Sequence, residues 1–155
     1  MELRPSGGAR LEEGDAARPE TTRSVTRGAR RLLRAQGFAV LAEVPLPSGR
    51  RADLVALASD GALRIVEVKS SAADFRADAK WLRYREHCDY FYFAIPPELS
   101  PRLFPADAGL IVADAYGGAL AREAPPHPIA PARRRAMLVR FAQIAAGRCE
   151  PPEYD

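Results

Sequence analysis

Two apolar runs joined by a short turn constrain the fold of this 155-residue chain more than any other feature. The runs cover residues 52–58 and 62–70, and the Ser59-Asp60-Gly61 sequence between them is typical of a tight turn. The pattern predicts a β-hairpin whose first arm carries Asp53. Because side chains alternate along a strand, Glu67 and Lys69 should point to the same face, roughly 7 Å apart.

Helical and extended segments surround this hairpin. Apolar residues at helical spacing predict a first helix that is capped by Thr21 or Thr22, runs to about Gln36 and ends at Gly37. The other predicted elements are strands at 38–44, 89–95 and 108–115, helices at 72–87 and 131–146, a short helical turn within 97–103 and a connector at 119–130. The order predicts an α/β domain with a mixed central sheet flanked by helices.

The composition is that of one globular domain with polar ends. We expect a domain at residues 20–148, with flexible tails at 1–19 and 149–155. No apolar run is long enough for a membrane span, and no signal peptide is visible. Two widely spaced cysteines fit free thiols and a cytoplasmic location. The net charge of +3 and the pI of about 9.1 permit a polyanionic partner without requiring one.

The hairpin carries the residue types of a metal-dependent hydrolase. Two carboxylates on adjacent strands, Asp53 and Glu67, can share a hard divalent cation such as Mg²⁺ or Mn²⁺, and the backbone carbonyl of Val68 could add a ligand. Lys69 could orient or deprotonate a water, or neutralise charge on a phosphate. This set is suited to metal-assisted hydrolysis of a phosphodiester.

The acid on one strand followed by Glu67-x-Lys69 on the next resembles the PD-(D/E)XK nuclease superfamily, which has the restriction-endonuclease-like α-β-β-β-α-β core. The resemblance implies that Asp53 and Glu67 bind metal and that Lys69 serves the attacking water. A longer set of residues is similar to the MmcB-like DNA repair proteins over about residues 22–148, which implies a role in DNA repair or damage tolerance. That set is Ile65-Val66-Glu67-Val68-Lys69-Ser70-Ser71, Asp74-Phe75, Asp78, Lys80-Trp81, Tyr84, Cys88-Asp89 and Phe91-Tyr92-Phe93-Ala94.

The chain departs from the superfamily pattern in three places. Ala52 replaces the proline that often precedes the first acid, which removes no ligand. The first helix lacks the acid that many relatives carry, so Glu43 on the preceding strand is the candidate for an extra contact to metal or water. Lys80 and Tyr84 have the spacing of a Gln-x-x-x-Tyr motif with lysine in place of glutamine, and Lys80 could contact phosphate.

Simpler interpretations compete with these. Asp53, Glu67 and Lys69 could form a structural ion pair across strands, and Ser70 or Ser71 could cap the helix that follows, which is compatible with a phosphate contact. Further nucleic-acid contacts are expected from a basic cluster, namely Arg133, Arg134 and Arg135. The function predicted first is a Mg²⁺-dependent deoxyribonuclease; the alternative is a catalytically silent nucleic-acid-binding or scaffolding protein on the same fold. An RNA substrate, a homodimer and a partner in a repair complex stay open.

Overall fold

A computed structural model of the chain describes residues 13–151 and residue 153. The described part contains three α-helices and six β-strands, with two short 3₁₀ helices at Trp81–His87 and Pro101–Leu103. The α-helices are α1 (Glu13–Ala35), α2 (Ala72–Ala77) and α3 (Pro131–Cys149). The strands are β1 (Ala39–Pro45), β2 (Arg51–Leu57), β3 (Leu63–Val68), β4 (Tyr90–Ile95), β5 (Gly109–Ala113) and β6 (Gly118–Arg122).

All six strands form one mixed sheet in the order of the sequence. β1, β2 and β3 pair antiparallel, β3, β4 and β5 pair parallel, and β6 returns antiparallel along β5. The hairpin predicted around Gly61 is present, and a positive φ of 89° at that glycine explains why the turn needs it. The α/β class, the mixed central sheet and the C-terminal helix are therefore confirmed.

Helices cover the sheet on both faces. On one face α1 buries Val25, Ala29 and Leu33 in a cluster that includes Val66 and Val68. On the other face α2, the 3₁₀ helix Trp81–His87 and α3 pack over a second cluster, which includes Ile65, Phe91, Phe93 and Phe141. Alternation along β3 thus places Glu67 on the face opposite α1, because Val66 and Val68 face α1.

Two predicted helices differ from the observed ones. The expected cap at Thr21 or Thr22 is wrong, because α1 begins at Glu13 and continues through Pro19. Thr22 lies inside the helix, where its carbonyl accepts a hydrogen bond from Thr26 Oγ1 at 2.7 Å. Residues 13–19 are therefore helical, whereas the rest of the predicted N-terminal tail, residues 1–12, lies outside the described residues. The helix predicted at 72–87 is divided into α2 and a 3₁₀ helix, since Asp78 leaves the helical conformation.

The last edge strand was not anticipated. Residues 119–130 were predicted to be a connector, but residues 118–122 form β6, in which Gly118 and Ala119 pair with Ala113 and Val112. The outer side of β6 is exposed, so the segment lacks the apolar run by which the central strands were identified. Within residues 13–151, no helix is both long and apolar enough to cross a membrane.

Candidate active site

The strands of the hairpin separate at the acidic residues. Backbone pairing of β2 with β3 ends at Leu54 opposite Val66. Beyond that pair, carboxylate side chains replace backbone carbonyls as hydrogen-bond acceptors. The Asp53 N–H donates to Glu67 Oε1 at 3.1 Å, and the Val68 N–H donates to Asp53 Oδ2 at 2.8 Å. Each carboxylate thus satisfies a backbone donor that the separated strands leave without a partner. This reciprocal arrangement holds both acids at the carboxyl end of β3.

Burial disfavours the charged forms of both acids, and the charge of Asp53 adds to this effect at Glu67. Glu67 is only 6% exposed, and burial together with the nearby Asp53 charge raises its pKa to about 8. Burial also raises the pKa of Asp53, although the hydrogen bond from Val68 and the charge of Lys69 oppose that rise. Two buried carboxylates that repel each other at the end of a strand are typical of a functional site.

Lys69 is buried beside this pair and has an acidic partner of its own. Its Nζ lies 2.9 Å from Asp78 Oδ2, and both side chains are largely buried. Asp78 reaches this position because the chain leaves α2 there, with the other carboxylate oxygen accepting the Lys80 N–H at 3.1 Å. The ion pair with Lys69 accounts for the interruption of the predicted helix at Asp78.

Glu67 and Lys69 open into a common cleft of about 500 Å³. Its wall includes Tyr84, which is buried and whose hydroxyl lies 3.4 Å from the Arg51 carbonyl oxygen. Arg50 also lines the cleft, and its guanidinium lies over the Tyr84 ring at 5.8 Å from the centroid. This residue was not predicted from the sequence. No spacing rule places the residue before a hairpin in such a cleft. The lining residues are Arg50, Glu67, Lys69, Asp74, Ala77, Asp78, Ala79, Lys80 and Tyr84.

Lys80 and Tyr84 share the cleft without sharing an α-helix. The backbone around them is 3₁₀, so the helical face assumed for the Gln-x-x-x-Tyr-like pair is absent. Lys80 is nevertheless exposed at the mouth of the cleft, where its ammonium can meet an anion. Trp81 packs on Phe91 and Phe93, so its ring is part of the packing around the core and is not a free platform for a base.

Asp53 and Glu67 fit a divalent cation in part. Oxygen donors suit Mg²⁺ or Mn²⁺, and a cation would relieve the repulsion that disfavours two buried charges. The carbonyl of Val68 points to the same side of β3 as its N–H, which faces Asp53. Among residues 13–151 and 153, however, no group of three or more His, Cys, Asp or Glu side chains is placed to hold a metal ion.

The structure does not bring Glu43 to the two acids. Its side chain is 69% exposed and lies 3.9 Å from Arg51, which is also exposed. The backbone at Glu43 has a φ of 51°, in the left-handed region, so the parity expected for a regular strand no longer predicts where its side chain points. A metal at Asp53 and Glu67 would therefore depend on water and on substrate oxygens for its other ligands.

Ser71 caps α2. Its Oγ accepts the Asp74 N–H at 3.0 Å, and an Asp74 carboxylate oxygen accepts the Ser70 N–H at 3.1 Å. Helix capping therefore explains Ser71 and Asp74. The Ser70 N–H is engaged in the same arrangement, so a phosphate contact by Ser70 would have to come from its hydroxyl.

The arginines at the start of α3 lie far from the cleft. Arg134 bonds to buried Asp89 and to the Gly61 carbonyl, and Asp89 in turn accepts the Leu63 N–H. Leu63 begins β3 whereas Glu67 lies near its end, about 13 Å further along the strand. The remaining two arginines are Arg133, which pairs with Glu86 at 3.0 Å, and Arg135, which is exposed.

One comparison with known proteins identifies a family. The sequence model of a family described as "DNA repair protein MmcB-like" matches residues 10–154. A solved structure from Silicibacter pomeroyi, a protein of unknown function, is 43% identical, with a TM-score of 0.78 over 83% of this chain and 88% of that one. No curated protein matches this chain significantly.

Proposed function

We propose that this chain, which belongs to the MmcB-like family of DNA repair proteins, is a metal-dependent nuclease that hydrolyses DNA phosphodiesters. The observation that carries the proposal is the buried Asp53–Glu67 pair with Lys69 beside it, at one end of a cleft that opens to solvent. The family description supports a role in DNA repair, and the geometry of the site supports phosphodiester hydrolysis as the reaction.

Asp53, Glu67 and the Val68 carbonyl would hold Mg²⁺ or Mn²⁺. When bound, the metal would lower the pKa of a coordinated water and stabilise negative charge on a phosphoryl oxygen. The protein prepares for this cation by holding both carboxylates through backbone N–H groups, so that their orientation does not depend on the metal.

Lys69 acts in this proposal as a fixed positive charge. The 2.9 Å contact with Asp78 holds the Lys69 side chain in place, and a fixed cation suits charge neutralisation and water positioning. Sequence alone left both roles open. Asp78 is then a positioning residue, because it acts on the reaction through Lys69.

The cleft combines acids at its base with cations around it. Glu67, Asp74 and Asp78 would repel a phosphate, whereas Arg50, Lys69 and Lys80 would attract one. A metal at Asp53 and Glu67 would shift this balance toward the anion. Substrate binding should therefore be stronger with a divalent cation than with EDTA.

Cleavage assays test the proposal directly. Purified protein is incubated with labelled single-stranded, duplex, nicked and branched DNA in Mg²⁺, Mn²⁺ or EDTA, and the products are resolved on gels. We expect metal-dependent products, at least about 100-fold fewer with Asp53→Asn or Lys69→Ala, and unchanged cleavage with Glu98→Gln, an exposed matched control. The nuclease proposal fails if no substrate gives a metal-dependent product, or if Asp53→Asn cleaves as the wild type does.

A silent DNA-binding protein is the second candidate. It is favoured by the absence of a third acidic ligand among the described residues, since two carboxylates hold a cation weakly without substrate. Calorimetry separates the two candidates. Mn²⁺ that binds wild type but not Glu67→Gln would count against an inert fold, whereas identical traces would favour it.

A further inference from the structure

Four arginines form a straight stripe along α1. Arg23, Arg27, Arg30 and Arg34 are spaced by four, three and four residues, which places them within about 60° of arc on an α-helix. The stripe is about 16 Å long. Three of its side chains are exposed and Arg30 is half-buried. The stripe therefore lies mainly on the solvent side of the helix, whereas Ala29 and Leu33 meet the sheet.

None of the four arginines forms an ion pair in the part of the structure whose side chains are described. The ion pairs found there involve other basic residues. Glu20 lies one turn before Arg23 on the same side of α1. The Arg30 Nε is buried without a hydrogen-bond partner, and burial followed by the charges of Arg34 and Arg148 lowers the pKa of Arg30. Four arginines on one helix side, with no ion pair to a carboxylate among the described side chains, have the electrostatic pattern of a polyanion-binding surface.

Arg148 connects the stripe to the candidate active site. It lies at the end of α3, and its guanidinium donates to the Ala42 carbonyl and, at 3.1 Å, to the Glu43 carbonyl. Glu43 stands across from Asp53, because its neighbours Ala42 and Val44 pair with Leu54 and Ala52. One strand spacing, about 4.8 Å, therefore separates the backbone held by Arg148 from the backbone of Asp53.

We propose that Arg23, Arg27, Arg30, Arg34 and Arg148 form a binding surface for the phosphate backbone of a nucleic-acid strand that extends from the Asp53–Glu67 site around the β1 edge. The identity of the polyanion rests on the proposed function. The surface is expected to contact phosphates, which fix the position of a strand without reading its sequence. Its role is to add affinity and to fix the direction in which the strand leaves the cleft.

Arg27→Gln/Arg34→Gln tests the surface. Both side chains are exposed without a contact in the described structure, and glutamine preserves helix propensity. The matched control is Arg76→Gln/Arg102→Gln, which removes the same charge from exposed positions off the stripe. Fluorescence anisotropy in EDTA measures binding of a labelled single strand and of a labelled duplex across a salt series. Thermal unfolding of each variant checks that it is folded.

The expected result is a loss confined to the stripe variant. Removing two phosphate contacts should reduce the slope of log K against log salt by about 1.4 for a single strand or 1.8 for a duplex, with affinity at least about tenfold weaker at low salt. The control should keep the wild-type slope. Equal slopes for the two variants, or no binding by wild type, would overturn the inference.

The outcomes separate this inference from the nuclease proposal. A stripe-dependent slope without metal-dependent cleavage keeps the binding surface and rejects the nuclease. Cleavage that Arg27→Gln/Arg34→Gln leaves unchanged, together with an unchanged slope, keeps the nuclease and rejects the surface. If the stripe variant binds heparin weakly but binds both oligonucleotides as wild type does, the surface serves another polyanion and the inference is overturned.

Discussion

Glu67→Gln should stabilise the metal-free protein at alkaline pH. The native pKa of Glu67 is about 8 against an ordinary value of 4.5, so the folded protein retains a proton that the unfolded chain releases. Stability therefore falls as pH rises from about 4.5 to 8, because the native state binds more protons in that window. The full difference corresponds to roughly 5 kcal/mol.

Glutamine removes this cost and keeps an amide oxygen for the Asp53 N–H, which now donates to Glu67 Oε1. The variant should become more stable than wild type, by an amount that grows by roughly 3 kcal/mol between pH 5.5 and 8.5. For a domain of this size, each kcal/mol corresponds to about 2–4 °C in Tm.

The assay is urea or thermal unfolding in EDTA at both pH values, with Glu98→Gln as the matched control. Mg²⁺ should raise the stability of wild type at pH 8.5 and leave Glu67→Gln unchanged, since a ligand stabilises only a state that binds it. A Glu67→Gln variant that is equally destabilised at both pH values would refute the reasoning, because ionisation of the buried Glu67 carboxyl would then not lower the stability of wild type.

Three other substitutions test separate parts of the structure. Asp78→Asn should lower the kcat of metal-dependent cleavage by about 10-fold or more without an equal rise in KM, because Lys69 loses its charged partner; an unchanged kcat would exclude Asp78 as a positioning residue. Arg134→Ala should lower the free energy of unfolding by about 3–5 kcal/mol in urea titrations, since it leaves Asp89 buried without its cation, and a loss below 1 kcal/mol (about the value of a surface pair) would contradict this. Gly28→Ala should lower Tm, because a Cβ there would collide with backbone oxygens of the β5–β6 turn, at a cost of about 1–3 kcal/mol; an unchanged Tm would show that the turn yields.

The hairpin and the central strands could be predicted from the sequence because their patterns extend over only a few neighbouring residues. The runs around Gly61 and the aromatic run at 90–95 specify strands through continuous burial and a turn residue. β6 was missed, since an exposed edge strand needs no apolar pattern and is defined only by pairing with β5. The start of α1 was missed because a threonine before an apolar stripe resembles a cap whether or not the helix continues past it.

For the candidate site residues too, local patterns predicted some positions and only the tertiary structure showed the others. Alternation on β3 puts Glu67 and Lys69 on one face, and both do line one cleft. The partner of Lys69 required tertiary structure, because Asp78 leaves α2 to reach it. Sequence proximity did not predict the partner of Arg134. The sequence grouped Arg133, Arg134 and Arg135 as phosphate contacts, yet Arg134 is held by Asp89 at the other end of β3.

The sequence by itself determined the hairpin, the mixed sheet and the three polar residues at its end, because alternation and turn chemistry act over a few residues. Only the tertiary structure decided that β2 and β3 separate at Asp53 and that the two carboxylates take over the backbone donors left there. It also decided that Glu43 lies outside the pair, through a left-handed backbone that strand parity cannot anticipate. The physical reason is that burial and charge proximity, which raise the pKa of Glu67, depend on segments that meet only when the chain has folded.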